Sequence, residues 1–537
     1  MNLFIKLISA NDSVKYMRFN IINNIKNRIK GEEEYSVKYD TFLVLFLFFI
    51  SIFMVYIAPV GFDKVFFGLL FLTVWFSKKD YFWFAFFIIL AFTPGGFFTE
   101  NSSEAVRRLP IFTLLPKASF AVFDIFLILI FIKAIIKGNR PKLKDVYNLK
   151  IMLILLLSLS FVTIYFGMTF TKFTNQTLRG LFFYTFIYSL PALMHKKGDI
   201  YKFMYLFFPF VFFEIISQFY LLYTGVDLIT LINPVTVLTV SEDLLMGGIR
   251  PVANGFAVVI SAFIFAFVFL ENKNKLSSRF YVITVIFLSA FSIFISATRQ
   301  SIIMLLFMFS LYYFFMSRRR SNLTFQLIFV ILFFILILDY VNVWDLNKII
   351  GGTIDRLVGA IGFKNGSVTA EDTLDYRLTE RFPKLIEAIK GSLFLGYGFS
   401  DKFFEYYDGH LGGILVGLLQ VGVLGYVFVV YFIINIFRVN YKYIRFLRPD
   451  NSYVMGIKVM TMGLAGFAMV NIFIDPIFIF NVFAHPQEFF ILLLICSMFI
   501  HYGKKEYALK YKTMMTNKRL KNKVLIEQPV LNRTPNL

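Results

Sequence analysis

A chain of 537 residues that is 58% hydrophobic and only 16% charged falls well below the roughly 25% charge of soluble domains and would aggregate in water. With a mean hydropathy of +0.71, it reads as a polytopic membrane protein. The net charge of +21 does not point to nucleic acid, because so apolar a chain has no soluble face for a duplex; basic residues that hold cytoplasmic loops in place account for it.

The first 40 residues lack the apolar core and small-residue cleavage site of a signal peptide. Val14, Met17, Ile21, Ile25 and Ile29 share one helical face, interleaved with Lys15, Arg18, Lys26, Arg28 and Lys30. That pattern predicts a helix lying on the anionic inner leaflet. From Thr41 to Tyr502 apolar runs recur, and a bilayer crossing needs about 20 residues. The predicted spans are Thr41–Pro59, Gly61–Ser77, Asp80–Thr93, Ala118–Ile136, Ile151–Gly167, Arg179–Met194, Tyr201–Tyr223, Pro251–Leu270, Phe280–Ala297, Gln300–Met316, Leu323–Tyr340, Leu411–Phe437, Gly456–Phe473 and Gln487–Tyr502. The predicted fold class is an all-α polytopic membrane protein of about 14 transmembrane helices. Eleven spans fall within 41–340 and three within 411–502, with a large, partly helical loop at 341–410 between them. The tail 503–537 is basic and polar, holds Pro529 and Pro535, and reads as disordered.

Orientation follows from the basic residues. The loops with Lys78-Lys79, Lys137 to Lys150, Lys196-Lys197, Lys273 to Arg279, Arg318-Arg319-Arg320 and Arg438 to Arg448, together with both tails, hold about 35 of the 54 Lys and Arg. This set is predicted to be cytoplasmic, and an even number of spans agrees with both termini on one side. The opposite loops are short except Pro94–Lys117, Thr224–Arg250 and Val341–His410.

The segment Val341–His410 is the informative one. From Leu374 it turns helical, with Leu374, Leu378, Phe382, Leu385, Ile386 and Ile389 on one face. Pro383 breaks this helix or starts a new one, and Gly391 ends it. Arg377, Arg381 and Lys384 form a basic stripe, and Gly396-Tyr397-Gly398 is a tight turn. A basic stripe is usually a solvated face. Here it stands on the side where basic residues are scarce, and guanidinium groups suit phosphate oxygens. Arg250 in Gly247-Gly248-Ile249-Arg250-Pro251 and Arg299 in Ser296-Ala297-Thr298-Arg299 stand near span ends on that same side. Each alone could snorkel to headgroups; together with Arg377 they suit an anion site at the lipid–water boundary.

Other chemistry is sparse. One cysteine, Cys496, excludes an internal disulfide. The four histidines, His195, His410, His485 and His501, are too scattered for a local metal motif, and there is no nucleotide-binding glycine loop. Glu214, with Gln218 one turn on, lies inside a predicted span, where a carboxylate is costly and points to function or to a structural partner. Asp124 and Asn471 read as structural.

Taken in order, Arg250-Pro251…Asn254 entering a span, Ser296…Thr298-Arg299 between spans, Arg377 before the amphipathic stretch Leu378–Ile389, the turn Gly396-Tyr397-Gly398, His410 opening a span and Gly422-Val423-Leu424-Gly425 at its end resemble the O-antigen ligase and polymerase family, with its Wzy-type polymerases and WaaL-type ligases. The resemblance covers Met246 to Gly425 and departs at Leu411, where the family often has Asn after its His. It implies a membrane glycosyltransferase with a C-type-like fold in the bacterial inner membrane. Such an enzyme polymerises undecaprenyl-diphosphate-linked repeat units into O-antigen or a related polysaccharide and releases undecaprenyl diphosphate without a cofactor or metal. In that reading Arg250, Arg299 and Arg377 hold the donor diphosphate, with Arg179 and Arg381 as secondary candidates. His410 takes the acceptor's proton, with His485 and Glu214 as secondary candidates. The partners implied are the lipid-linked glycan donor, a glycan or lipid-linked acceptor, the bilayer and a chain-length regulator protein, and no nucleic acid. A ligase would use the same chemistry on the lipid A core or on a protein. A lipid-linked-oligosaccharide flippase has no need of so large an outer loop.

Overall fold

The computed structural model describes residues 36–59, 61–92, 111–115, 118–138, 149–168, 185, 188–194, 196, 198–224, 228–232, 256–272, 276–295, 299–315, 382–406, 413–447, 452–473 and 487–526. Its helices are α1 Ser36–Tyr56, α2 Phe62–Phe76, α3 Asp80–Ala91, α4 Val122–Lys137, α5 Leu149–Phe166, α6 Asp199–Tyr205, α7 Phe208–Thr224, α8 Phe256–Asn272, α9 Arg279–Ile295, α10 Arg299–Phe315, α11 Phe382–Gly391, α12 Asp401–Tyr406, α13 Gly413–Phe446, α14 Ser452–Phe473 and α15 Gln487–Ile526. One short hairpin, β1 Ile111–Leu115 with β2 Ala118–Ala121, pairs antiparallel. The fold is all-α, as the composition predicts, because in hydrocarbon a helix satisfies its own backbone groups.

Among the described residues, three helical stretches are long and apolar enough to cross a membrane: Ser36–Tyr56, Asp199–Leu221 and Ile414–Phe446. Two of them are interrupted. Asp199–Leu221 turns at Leu206-Phe207, where Pro209 has no N–H to give the preceding turn. The other breaks at Gly422. Apolar stripes such as Phe42, Phe46, Phe49 and Phe53 on α1 and Leu157, Phe161 and Ile164 on α5 face outward, where lipid rather than water suits them.

At the centre stands α8, with Ala257 to Phe269 buried on every side. A helix with no polar face belongs in the interior, and α7, α9, α14 and α15 all pack on it. Gly463 of α14 makes that approach possible: a Cβ there would come within 2.9 Å of Ile264.

Three sequence expectations are corrected. The predicted span Asp80–Thr93 is the 12-residue α3, roughly 18 Å long, too short to cross and buried from Asp80 to Leu90. The predicted span from Ala118 begins as strand β2, and its helix starts only at Val122, where Asp124 accepts the Ala121 N–H at 2.8 Å. Asp124 is therefore structural, as expected. The tail after Gly503, expected to be disordered, continues α15 as helix to Ile526. Its Lys, Leu and Ala residues are good helix formers, and the helix begins with tertiary support, since Tyr507 packs on Phe446 (4.5 Å) and Lys504 lies over Tyr443 (4.4 Å).

At the end of the bundle with Lys78-Lys79, one buried ion pair and one with a half-exposed lysine tie the first helices together. Lys133 of α4, with its side chain 3% exposed, donates to Asp80 Oδ1 (2.5 Å), Val74 O (2.8 Å) and Ser77 O (2.8 Å). It thus caps the last turn of α2 and neutralises the first residue of α3. Asp40 of α1 accepts from Lys79 (2.7 Å) and from the Tyr81 hydroxyl.

Candidate functional site

The break in α13 organises the region that the sequence marks out. Gly422 has φ 63° and ψ −178°, left-handed backbone that suits glycine. It opens two helical hydrogen bonds, those that the Val423 and Leu424 N–H groups would make to Leu419 and Gln420 O. Segment 393–398 takes up all four stranded groups. Val423 N–H donates to Leu393 O (2.8 Å) and Leu424 N–H to Phe394 O (3.3 Å), while Tyr397 N–H donates to Leu419 O (2.8 Å) and Gly398 N–H to Gln420 O (2.8 Å). Broken backbone at membrane depth is tolerated only where protein covers it, so the break and the segment need each other.

The same segment is tied to α5. Phe399 N–H donates to Thr163 Oγ1 (2.8 Å), and Asp401 N–H donates to Gly167 O (3.1 Å). Leu385, Ala388 and Ile389 of α11 pack with Tyr397, Phe403, Val416 and Leu419 in a small apolar core of their own. Of the predicted helical face, Leu385 and Ile389 are buried, Phe382 packs against them and Ile386 is 42% exposed, while Leu374 and Leu378 lie outside the described residues. Pro383 stands in the first turn of α11, and Gly391 ends the helix. The Tyr397 hydroxyl donates to Ala388 O (3.1 Å). Lys402 Nζ lies 5.7 Å from the Tyr397 ring centre and 5.9 Å from that of Phe166. Residues 382–406 therefore form one docked unit between α5 and α13, with Lys384 and Lys390 on its exposed side.

The Gly396-Tyr397-Gly398 turn is as tight as predicted, with φ 69° and 64° at its glycines. Gly422-Val423-Leu424-Gly425 is not a span end, as expected, but an interruption followed by helix to Phe446. The reason is the partner: a break inside an apolar run is stable only when another segment supplies backbone groups.

The predicted site residues divide between described and undescribed parts of the chain. Arg299 opens α10. A Cβ on Gly466 of α14 would lie 2.9 Å from Met308 and 3.2 Å from Met304 of α10, and α13 and α14 are consecutive packed helices. These contacts put Arg299, the far end of α14 and the Gly422 break at the same end of the bundle. Glu214 and Gln218 are buried on α7, and Gln218 Nε2 donates to Ser292 O of α9 (3.3 Å). Arg179, Arg250, Arg377, Arg381, His410 and His485 lie outside the described residues, as do Leu323–Tyr340 and the amino-terminal helix expected at 14–29. Among the described residues no group of three His, Cys, Asp or Glu could hold a metal ion. Sequence reasoning missed the Thr163 hydroxyl and the Gln420 backbone carbonyl, which hold the docked unit; a lone hydroxyl in an apolar run, or one carbonyl among many, carries no signal of its distant partner.

Compared with known proteins, the chain matches no family model and no curated relative. What the arrangement itself can do is hold a basic, amphipathic segment rigidly on one end of a helical bundle. Gly396→Ala tests that coupling. A Cβ at Gly396 would lie 2.4 Å from Gln420 O and 2.5 Å from Gly422 N, backbone atoms that cannot swing aside. The variant is expected to lose about 2–5 kcal/mol from left-handed strain and overpacking. Gly422→Ala, whose Cβ would meet Phe394 O at 2.3 Å, should cost a similar amount. Because the two disrupt one contact, the double variant should fall well short of the sum, as thermal unfolding in detergent would show.

Proposed function

We propose that the protein is a membrane glycosyltransferase that polymerises undecaprenyl-diphosphate-linked oligosaccharide repeats on the outer face of a bacterial inner membrane. The observation that carries this reading is the docking of 382–406 onto the broken helix α13, a rigid mount for the segment that follows Arg377 and Arg381 and leads to His410. A flippase, which must move its helices apart to pass a headgroup, has no use for such a fixed outer unit.

In the proposed reaction an acceptor sugar hydroxyl attacks the anomeric carbon of the donor repeat. The new glycosidic C–O bond forms as the bond from that carbon to the phosphate oxygen breaks. His410 takes the hydroxyl proton, and undecaprenyl diphosphate leaves with the bonding electron pair. Arg250, Arg299 and Arg377 stabilise the negative charge that grows on the diphosphate; fixed donors act where charge develops. The residues proposed for transfer are one imidazole, which takes the proton, and three guanidinium groups, which stay charged and hold the diphosphate, so no metal is assigned a step.

Two experiments test the reading. In a strain lacking the protein, single-repeat glycan on the lipid anchor supports a polymerase, whereas full-length polymer missing its final acceptor moves the assignment to a ligase. Arg299→Lys keeps the charge and loses the fork, so it should polymerise poorly, and Arg299→Ala more poorly still. Normal polymerisation by both, at normal protein levels, would make Arg299 a headgroup contact only. The orientation is checked with a reporter fused near Asn365, which should report the outer side.

A further inference from the structure

We infer that Leu393-Phe394-Leu395, the tip of the docked unit, enters the hydrocarbon of the bilayer as a re-entrant knuckle, with lipid acyl chains as its partner. The sequence pattern alone puts the whole of Val341–His410 outside the membrane. This inference does not depend on glycosyl transfer.

Two helices measure the depth of the tip. Leu393 O accepts from Val423 N–H (2.8 Å) and Phe394 O from Leu424 N–H (3.3 Å), so the tip stands level with the break in α13. Arg438, exposed on the same helix, marks the far edge of the hydrocarbon, because a charge is costly among acyl chains. From Arg438 back to Val423 the helix rises roughly 22 Å, against a hydrocarbon thickness of about 30 Å. The margin of about 8 Å leaves room for Arg438 to snorkel, and any tilt of α13 carries the tip deeper. Helix α5 gives a second measure. Phe399 N–H donates to Thr163 Oγ1 (2.8 Å), and a Cβ on Gly398 would lie 2.4 Å from that oxygen. Thr163 lies roughly 20 Å along the axis from Lys150, which stands in the first turn of α5. Both measures put the tip inside the membrane.

The surface and the backbone of the tip suit that depth. Leu393, Phe394 and Leu395 are 42%, 65% and 57% exposed, and they adjoin the exposed apolar stripe Leu424, Val427, Phe428 and Tyr431 of α13. Three consecutive large apolar side chains in water are an aggregation hazard; against acyl chains they cost nothing. Polar groups around the tip are satisfied by protein. Ser392 N–H donates to Ile389 O (3.1 Å), Gly396 N–H to Ser392 O (2.9 Å) and Ser392 Oγ to Gly396 O (2.7 Å), while α13 takes the carbonyls of Leu393 and Phe394. Backbone inside a bilayer requires such partners, whereas a loop in water has solvent. Charged residues stand further out. Lys384 is in the first turn of α11, and Glu405 is on α12, whose first N–H bonds Gly167 O beyond the end of α5. Lys390, nearest the tip, has a stem long enough to carry its amine to the headgroups.

The test uses the purified full chain in phosphatidylcholine vesicles, with a nitroxide attached to one cysteine at a time: Leu393→Cys, Phe394→Cys or Leu395→Cys. Cys496 is buried, and the unsubstituted protein carried through the same labelling corrects for it. Relaxation of each label is compared in oxygen, which concentrates in hydrocarbon, and in a nickel chelate, which stays in water. Val427→Cys is the lipid reference, and Lys384→Cys and Glu405→Cys are the water references; all three positions are exposed. The tip labels should favour oxygen as Val427→Cys does and read about 5–10 Å inside the hydrocarbon, while the water references favour nickel. All three tip side chains are exposed, so each substitution spares the core, and if one variant misfolds the other two decide. Tip labels as open to nickel as Lys384→Cys would overturn the proposal by placing the tip in water. Labels that neither reagent reaches would overturn it too, by placing protein, such as a second copy of the chain, over the tip.

Discussion

Lys133→Met is expected to destabilise the protein by about 3–5 kcal/mol, the cost of removing one partner from a buried ion pair. Met fills much of the lysine's volume, so the loss is electrostatic rather than a cavity. The Asp80 carboxylate would keep its burial without the amine now 2.5 Å away, and Val74 O and Ser77 O would lose the donor that caps α2. Two comparisons identify this cause. Adding Asp80→Asn should recover most of the loss, because a neutral amide in place of an uncompensated charge is far cheaper to bury. Lys137→Met removes an exposed donor at 3.0 Å from Trp75 O, on the same helix and over the Trp75 ring at 4.5 Å, and should cost less than about 1 kcal/mol. Thermal unfolding in detergent measures all three. A small effect of Lys133→Met alone would mean that water reaches Asp80 and screens it.

His410→Ala is expected to lower transfer by about 10²–10⁴-fold, the usual contribution of a positioned base, while leaving folding and donor binding intact. Glutamine at the same position should not rescue the rate: an amide can orient a hydroxyl but cannot take its proton. The pH profile adds a readout that a structural role would not move. An imidazole base gives an ascending limb near neutrality, and that limb should vanish in the variant's residual activity. The assay uses purified protein and lipid-linked repeat units, with chelator and no added divalent metal. Loss of wild-type activity in chelator would contradict the metal-independent step. Full activity of His410→Ala would pass the base's role to His485 or Glu214.

Composition alone determined that this chain belongs in a membrane and is helical, because 58% hydrophobic residues leave the backbone few other ways to satisfy itself in lipid. Local chemistry determined more. Gly391 ends α11, the glycines flanking Tyr397 make a tight turn, and Leu385 and Ile389 share a buried face, since caps, positive φ and helical period are properties of neighbouring residues. Tertiary structure alone decided what these elements touch. Asp80 finds Lys133 across 53 residues and Phe399 finds Thr163 across 236, and no periodicity carries information over such separations. The short α3 reads as a span because apolar runs look alike whether lipid or protein surrounds them; only its burial from Asp80 to Leu90 distinguishes the two. In the sequence Gly422 reads as part of a motif that ends a span, not as a break inside one. Its break is stable because segment 393–398 brings two carbonyls and two N–H groups to the very atoms the break strands, and that match exists only once both segments are folded against each other.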